Sequence, residues 1–251
     1  MKVTILGCGT SGGVPSITGN WGICDPDNPK NRRRRVSILV EQGATSLVVD
    51  VSPDFREQCI SAGVQRLDAV LLTHDHADHC HGIDDLRGIA GVMRQRVPIH
   101  GSAQTMRTVA KRFGYIFEGR GGYPAICDSI EIGGPFRIGD IDVVPFTQIH
   151  GDIESLGFRF GDIAYSTDLN ELPEESFEAL AGVKIWIVDA LRRTPHPSHA
   201  HLAKTLSWIE RLKPARAILT HMTWEMDYDT LRAELPPGVE PAYDGLVLAV
   251  D

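Results

Sequence analysis

Residues 73–82 read THDHADHCHG, four histidines and two aspartates in ten positions directly after the apolar run Val70-Leu71-Leu72. No other stretch constrains the fold as tightly. The apolar run reads as a buried strand, and a cluster that begins where such a strand ends lies where α/β proteins place their sites. Residues two apart on an extended chain share a face, so His74 and His76 can chelate one ion, and a turn lets Asp78 and His79 face a second. Buried without a partner these side chains would repel or stay unsatisfied, and a metal removes that penalty. A solvated histidine-rich loop is the alternative, but clustered His and Asp mark metal sites. Asp75 and His81 fall outside H-x-H-x-D-H. Asp75 is expected in a hydrogen bond that stiffens the loop, and Cys80 in packing.

A two-metal site needs ligands from elsewhere in the chain. His150 follows the strand IDVVPFTQ, Asp168 follows IAYST, and His221 follows AILT, so each stands at the C-terminal end of an apolar run, as His74 does. Asp168 is the expected bridge, because a carboxylate has two oxygens to share between ions. Asp50, ending LVVD, is expected either to orient a metal-bound histidine or to form a buried turn.

Short β-branched runs predict strands at residues 3–6, 37–40, 46–50, 69–73, 97–100, 141–146, 156–160, 163–167, 184–189, 217–220 and 246–250. Phe160-Gly161-Asp162-Ile163 is a hairpin signal. Ser52-Pro53 predicts a helix start closed by Gly63, residues 102–113 predict a second helix, and Ser198 opens a third running to about Leu212. No sequence repeat is visible. The expected class is α/β: one domain over residues 1–251 with two mixed sheets flanked by helices.

GCGTSG at residues 7–12 satisfies G-x-G-x-x-G after a strand. A dinucleotide site requires a helix at the third glycine, and GVPSITGNWGICDPDNP cannot supply one. A tight loop approaching another backbone or a phosphate is expected instead. Arg32 to Arg35 could read a phosphate, but at most two can point one way along a strand; one or two are expected in ion pairs and the others in solvent. The five cysteines are scattered and form no C-x-x-C pair, which excludes a disulfide framework and fits a reducing compartment. A net charge of −8 argues against duplex or folded RNA as a stable partner. No apolar run is long enough to cross a membrane, the N-terminal run is too short for a signal peptide, and the expected location is the cytoplasm.

The combination of H-x-H-x-D-H with a later lone His, lone Asp and lone His resembles the metallo-β-lactamase superfamily over essentially the whole chain, which implies an αββα sandwich. LGCGTSGGVP, the NRRRR stretch and THMTWEMDY look like the PhnP-type phosphodiesterases (phosphoribosyl cyclic phosphodiesterase-like), relatives of the tRNA 3′-processing endonucleases. The resemblance implies one metal at His74, His76 and His150, another at Asp78, His79 and His221, and a bridge at Asp168. Zinc is the first expectation, with manganese or iron also suited to imidazole and carboxylate. It also implies a histidine that protonates the leaving group and contacts substrate. Within DALRRTPHPSHAHL it selects His199, on the first turn after a Ser198 cap, with His201 as the alternative.

The implied function is hydrolysis of a small cyclic phosphate or nucleotide phosphodiester through a dinuclear metal-activated hydroxide oriented by Asp78. Processing of tRNA 3′ ends and thioester or lactam hydrolysis are the alternatives, and a homodimer is compatible with the sequence. Two departures stand out. The N-terminal loop carries only Cys24 and Trp224 replaces a histidine, so the structural zinc of PhnP is not expected. Between Cys80 and His150 only the short GRGGYP loop stands where tRNA endonucleases carry a long arm.

Overall fold

The computed structural model describes residues 1–250. In chain order the strands are β1 (Lys2–Gly7), β2 (Ser37–Gln42), β3 (Thr45–Val49), β4 (Ala69–Leu71), β5 (Val97–Gly101), β6 (Cys127–Glu131), β7 (Phe136–Ile138), β8 (Ile141–His150), β9 (Ile153–Phe160), β10 (Ile163–Ser166), β11 (Ile185–Asp189), β12 (Arg216–Thr220), β13 (Val239–Pro241) and β14 (Val247–Ala249). The α-helices are α1 (Phe55–Ala62), α2 (Ala77–Cys80), α3 (Leu86–Met93), α4 (Ala103–Glu118), α5 (Glu174–Leu180), α6 (Leu202–Leu212) and α7 (Tyr228–Glu234).

Two seven-stranded sheets form, in the orders β14-β1-β2-β3-β4-β5-β6 and β13-β12-β11-β10-β9-β8-β7. Both are mixed. The pairings from β14 to β3 are antiparallel and those from β3 to β6 parallel. The second sheet repeats the pattern, antiparallel from β7 to β10 and parallel from β10 to β13. The two halves are therefore matched in topology although no repeat shows in the residues. In this correspondence Asp50 after β3 faces the role of Asp168 after β10, and the ends of β4, β11 and β12 all deliver polar residues to one rim.

Strand alternation explains why both sheets are buried. In β3, Leu47 and Val49 enter the core between the sheets while Val48 joins a second core under the helices. In β4, Ala69 and Leu71 go to the first and Val70 to the second. Phe158, Phe160, Ile163 and Tyr165 supply the opposing inner face, whereas Trp186, paired with Ala164, turns to the other side of that sheet. Leu86 and Ile89 of α3 and Met106, Val109 and Ile116 of α4 close the second core. No helix among the described residues is long and apolar enough to cross a membrane.

Every predicted strand run contains a strand, and the Gly161-Asp162 turn joins β9 to β10 with Phe160 paired to Ile163. The strands that sequence reasoning missed, β6, β7 and β13, are all at sheet edges. Edge strands carry polar or proline residues that break the apolar signal: four of the five residues of β6 are exposed. Two helix starts differ from expectation. α1 begins at Phe55, because the Ser52 hydroxyl accepts from Asp54 N in a preceding turn and Ser52 O accepts from Phe55 N. α6 begins at Leu202 with His201 as its cap, because the backbone before it is committed to other bonds: Ala200 N donates to Leu169 O and Leu191 N to Ala200 O. The helix predicted over residues 102–113 forms as α4, with the Ser102 hydroxyl accepting from Thr105 N as its cap, and continues to Glu118.

Candidate metal centre

His74, His76, Asp78, His79, His150, Asp168, His199 and His221 meet at one rim between the two sheets, and His201 does not join them. His74, His76, His150 and Asp168 form one grouping, Asp78, His79, Asp168 and His221 a second, with ligand-capable atoms within 4.8 Å of one another in each. Asp168 belongs to both and divides its oxygens between them. Its Oδ2 lies 3.8 Å from His74 Nε2 and 3.6 Å from His150 Nε2, and its Oδ1 lies 3.1 Å from His79 Nε2 and 3.5 Å from His221 Nε2. One carboxylate thus faces two sets of imidazoles with different oxygens.

The outer ring nitrogens explain this convergence. His79 Nδ1 donates to Asp50 Oδ2 over 2.7 Å, and His150 Nδ1 donates to the Ser198 carbonyl over 2.6 Å. Thr73 Oγ1 gives its single proton to Asp50 Oδ2, so it can only accept from His74 Nδ1, 2.9 Å away. In each ring a proton is held on Nδ1 and Nε2 is turned inward. Asp50 therefore orients a candidate ligand, the first of the two roles open to it from sequence, and Thr73 extends its hold to His74.

The Nε2 atoms of His74, His79 and His221 are buried and make no hydrogen bond. Several such atoms converging on one carboxylate would each leave a desolvated group unpaired, and cation binding removes that penalty. Charge points the same way. Burial alone would push His79 down, but Asp168, Asp78 and Asp50 around it hold it well above the ordinary imidazole range. A cation could take over the compensation that the His79 proton now supplies. The residues present fit divalent metal ions.

Local structure fixes the loop. His76 caps the short α2, whose Asp78 stands in the first turn and whose His79 is buried. The His79 carbonyl accepts from Val51 N and Gly82 N donates back to Val51 O, pinning α2 to the end of β3. A Cβ on Gly82 would stand 2.0 Å from Ser52 O, so only glycine permits that approach. Asp75 is tied to Arg112, which bonds its carbonyl and sits 3.3 Å from its Oδ2, while the His81 ring turns edge-on to Phe113. Asp50, Asp168 and His221 all adopt left-handed backbone, with φ of 62°, 53° and 58°. Non-glycine residues reach that region at a cost that surrounding structure must offset, and such strain gathers at functional sites.

Asp189 is a site residue that sequence reasoning missed, although it ends the strand IWIVD as Asp50 ends LVVD. It joins Asp168, His199 and His221 in a third grouping. His199 Nδ1 shares a proton with Asp189 Oδ2 across 3.0 Å, and His199 Nε2 then lies 3.8 Å from Asp168 Oδ2. Burial, and then the Asp168 charge, leave Asp189 well above the usual carboxylate range. Burial also lowers His199, against the pull of Asp168. The expectation that His199 stands on the first turn of a helix capped by Ser198 is corrected, since α6 begins at Leu202 with His201 as its cap. His201 belongs to none of the three groupings.

The remaining motifs are structural. The glycine loop approaches backbone: a Cβ on Gly7 would meet Arg35 O at 2.0 Å, and Thr10 N donates to Met222 O beside His221. Arg34 pairs with Asp244 and Arg35 with Asp54, as expected of one or two of the arginines. Arg33 departs from the expectation of solvent exposure. It is buried, and its guanidinium donates to the Thr223 and Met226 carbonyls and to Asn31 Oδ1. Cys24 Sγ lies 3.9 Å from the same guanidinium.

The family described as Beta-lactamase superfamily domain matches residues 45–222. A protein named Octanoyltransferase from Porphyromonas gingivalis (strain ATCC BAA-308 / W83) is 32% identical over 259 residues, which cover 100% of this chain and 52% of that protein. A Ribonuclease Z from Bradyrhizobium sp. (strain ORS 278) is 30% identical over 137 residues, 53% of this chain and 46% of that protein. The chain thus spans about half the length of the curated relatives it matches. A crystal structure of a diphosphatase from the PhnP family is similar with a TM-score of 0.93 at 35% identity, covering 100% of this chain and 98% of that one.

Proposed function

The chain belongs to the beta-lactamase superfamily, and on that premise we propose that it is a metal-dependent phosphodiesterase acting on a small cyclic phosphate or nucleotide diester. The observation that carries the proposal is the division of Asp168, Oδ2 toward His74 and His150 and Oδ1 toward His79 and His221. Full-length similarity to a diphosphatase of the PhnP family supports the phosphoryl class. His74, His76 and His150 would hold one divalent ion, Asp78, His79 and His221 the other, and Asp168 both. Such a pair supplies Lewis acidity toward phosphoryl oxygens and lowers the pKa of a water.

The protein's own groups supply the remainder. Asp78, less buried than Asp168 and at the start of α2, accepts a hydrogen bond from the attacking water and orients it. His199 protonates the departing oxygen from Nε2, while Asp189 behind it holds the ring at a fixed angle and keeps one proton in the pair. No cysteine joins any of the three groupings, so the cluster offers no thiol nucleophile for acyl transfer. The octanoyltransferase name belongs to a protein nearly twice as long as the matched segment.

A metal-replete screen tests the reaction class. We expect turnover of bis(4-nitrophenyl) phosphate and of at least one 2′,3′-cyclic nucleotide, with none of nitrocefin or S-lactoylglutathione. Turnover of a lactam or thioester alone would overturn the proposal, and cleavage of precursor tRNA in preference to small esters would move it to the tRNA 3′-processing class.

A further inference from the structure

A cleft of about 580 Å³ opens beside the metal centre, between the loop that carries His74, the start of α4 and the start of β9. His74 forms part of its wall, and Ser102, Gln104, Arg107, Ile153 and Glu154 line the remainder. Its charges are unusual in being left apart. Arg107 is exposed and donates to the neutral Gln104 Oε1, 2.8 Å away, with no carboxylate of the described residues in ion-pair range. Glu154, also exposed, makes no ion pair with it across the cleft, whereas Asp75 in the same wall is already tied to Arg112.

Two further features bear on what fills that space. The Ser102 hydroxyl and carbonyl take Thr105 N and Met106 N, leaving the Ala103 and Gln104 amides of the sixteen-residue α4 open at the cleft wall. His74 Nε2, buried and without a hydrogen-bond partner, marks where the wall passes into the metal centre. A cation and two free amides on one wall suit a phosphoryl group. The carboxylate opposite confines such a group to the α4 side.

We infer that this cleft receives a second, non-reacting phosphoryl group of the substrate, held by Arg107 with Gln104 and the first amides of α4, so that the favoured substrates are nucleotide diesters bearing a further terminal phosphate. The inference rests on the phosphodiesterase proposal and names the part of the substrate remote from the cleaved bond. Binding energy gathered there serves to orient the reacting ester.

The test compares the dinucleotide ApA with its 5′-phosphorylated form pApA, alongside bis(4-nitrophenyl) phosphate. The wild type is expected to favour pApA over ApA in kcat/KM by about tenfold, the size of one charge-assisted contact. Arg107→Ala should bring that ratio close to one, mainly through KM, and Glu154→Gln should raise it. An unphosphorylated substrate used as well as pApA by the wild type, or an Arg107→Ala ratio equal to the wild-type ratio, overturns the inference while leaving the phosphodiesterase proposal standing. No turnover of any of the three esters overturns both.

Discussion

Replacing Asp168 by Asn should lower turnover of every phosphodiester substrate roughly 10³- to 10⁴-fold, about 4 to 5.5 kcal/mol of barrier. The size follows from position. Asp168 is buried, belongs to all three groupings, and presents Oδ2 to His74 and Oδ1 to His79. Asparagine keeps the volume and one carbonyl oxygen but turns an N–H toward one set of imidazoles, and it removes the negative charge that both sets share. Metal content measured on the purified variant should fall by at least half. A variant that kept its full metal complement and most of its turnover would show that Asp168 does not bridge.

The second large effect belongs to His199. His199→Ala should cost roughly 10²- to 10⁴-fold with a poor alkoxide leaving group, the range for a lost general acid, and far less with a nitrophenolate that leaves unaided. Metal content separates this role from another. His199 lies in the grouping with Asp168, Asp189 and His221, so a ligand role predicts metal loss and equal damage on both esters, whereas the acid role predicts retained metal and unequal damage. Asp189→Asn should reproduce a weaker form of the same leaving-group dependence, since the ring survives but loses the partner that fixes it at 3.0 Å. Equal losses for His199→Ala on both esters would remove the proton-donor assignment.

Much of the site was legible because its residues stand at strand ends, and strand ends are visible as the point where an apolar run stops. His74, His150, Asp168 and His221 could be found that way. Asp189 obeys the same rule, but the nearby histidines of DALRRTPHPSHAHL drew attention past it, and only its 3.0 Å contact with His199 reveals its place. What spacing could not show was the outer layer: that Thr73 must accept from His74 because it donates to Asp50, or that Asp50, Asp168 and His221 share left-handed backbone. Those are properties of packed neighbours brought together by the fold.

The fold divides similarly. Interior strands such as β3 and β4 are apolar on both faces and announce themselves, while the edges β6, β7 and β13 do not. The start of α6 was misplaced because Ser198 looks like a cap locally, yet its carbonyl is taken by His150 and the chain bends through residues 197–199 before His201 caps the helix. Arg33 shows the limit of alternation arguments: among four arginines in a row, burial of one is decided by carbonyls about 190 residues away in sequence.

The central claim, two cooperating cations held by one divided carboxylate, is tested most directly by titrating chelator-treated protein with zinc or manganese while following hydrolysis of bis(4-nitrophenyl) phosphate. Turnover should be absent at the start and reach its maximum near two equivalents per chain. Full activity in the chelated protein, or a maximum already reached at one equivalent, would contradict it.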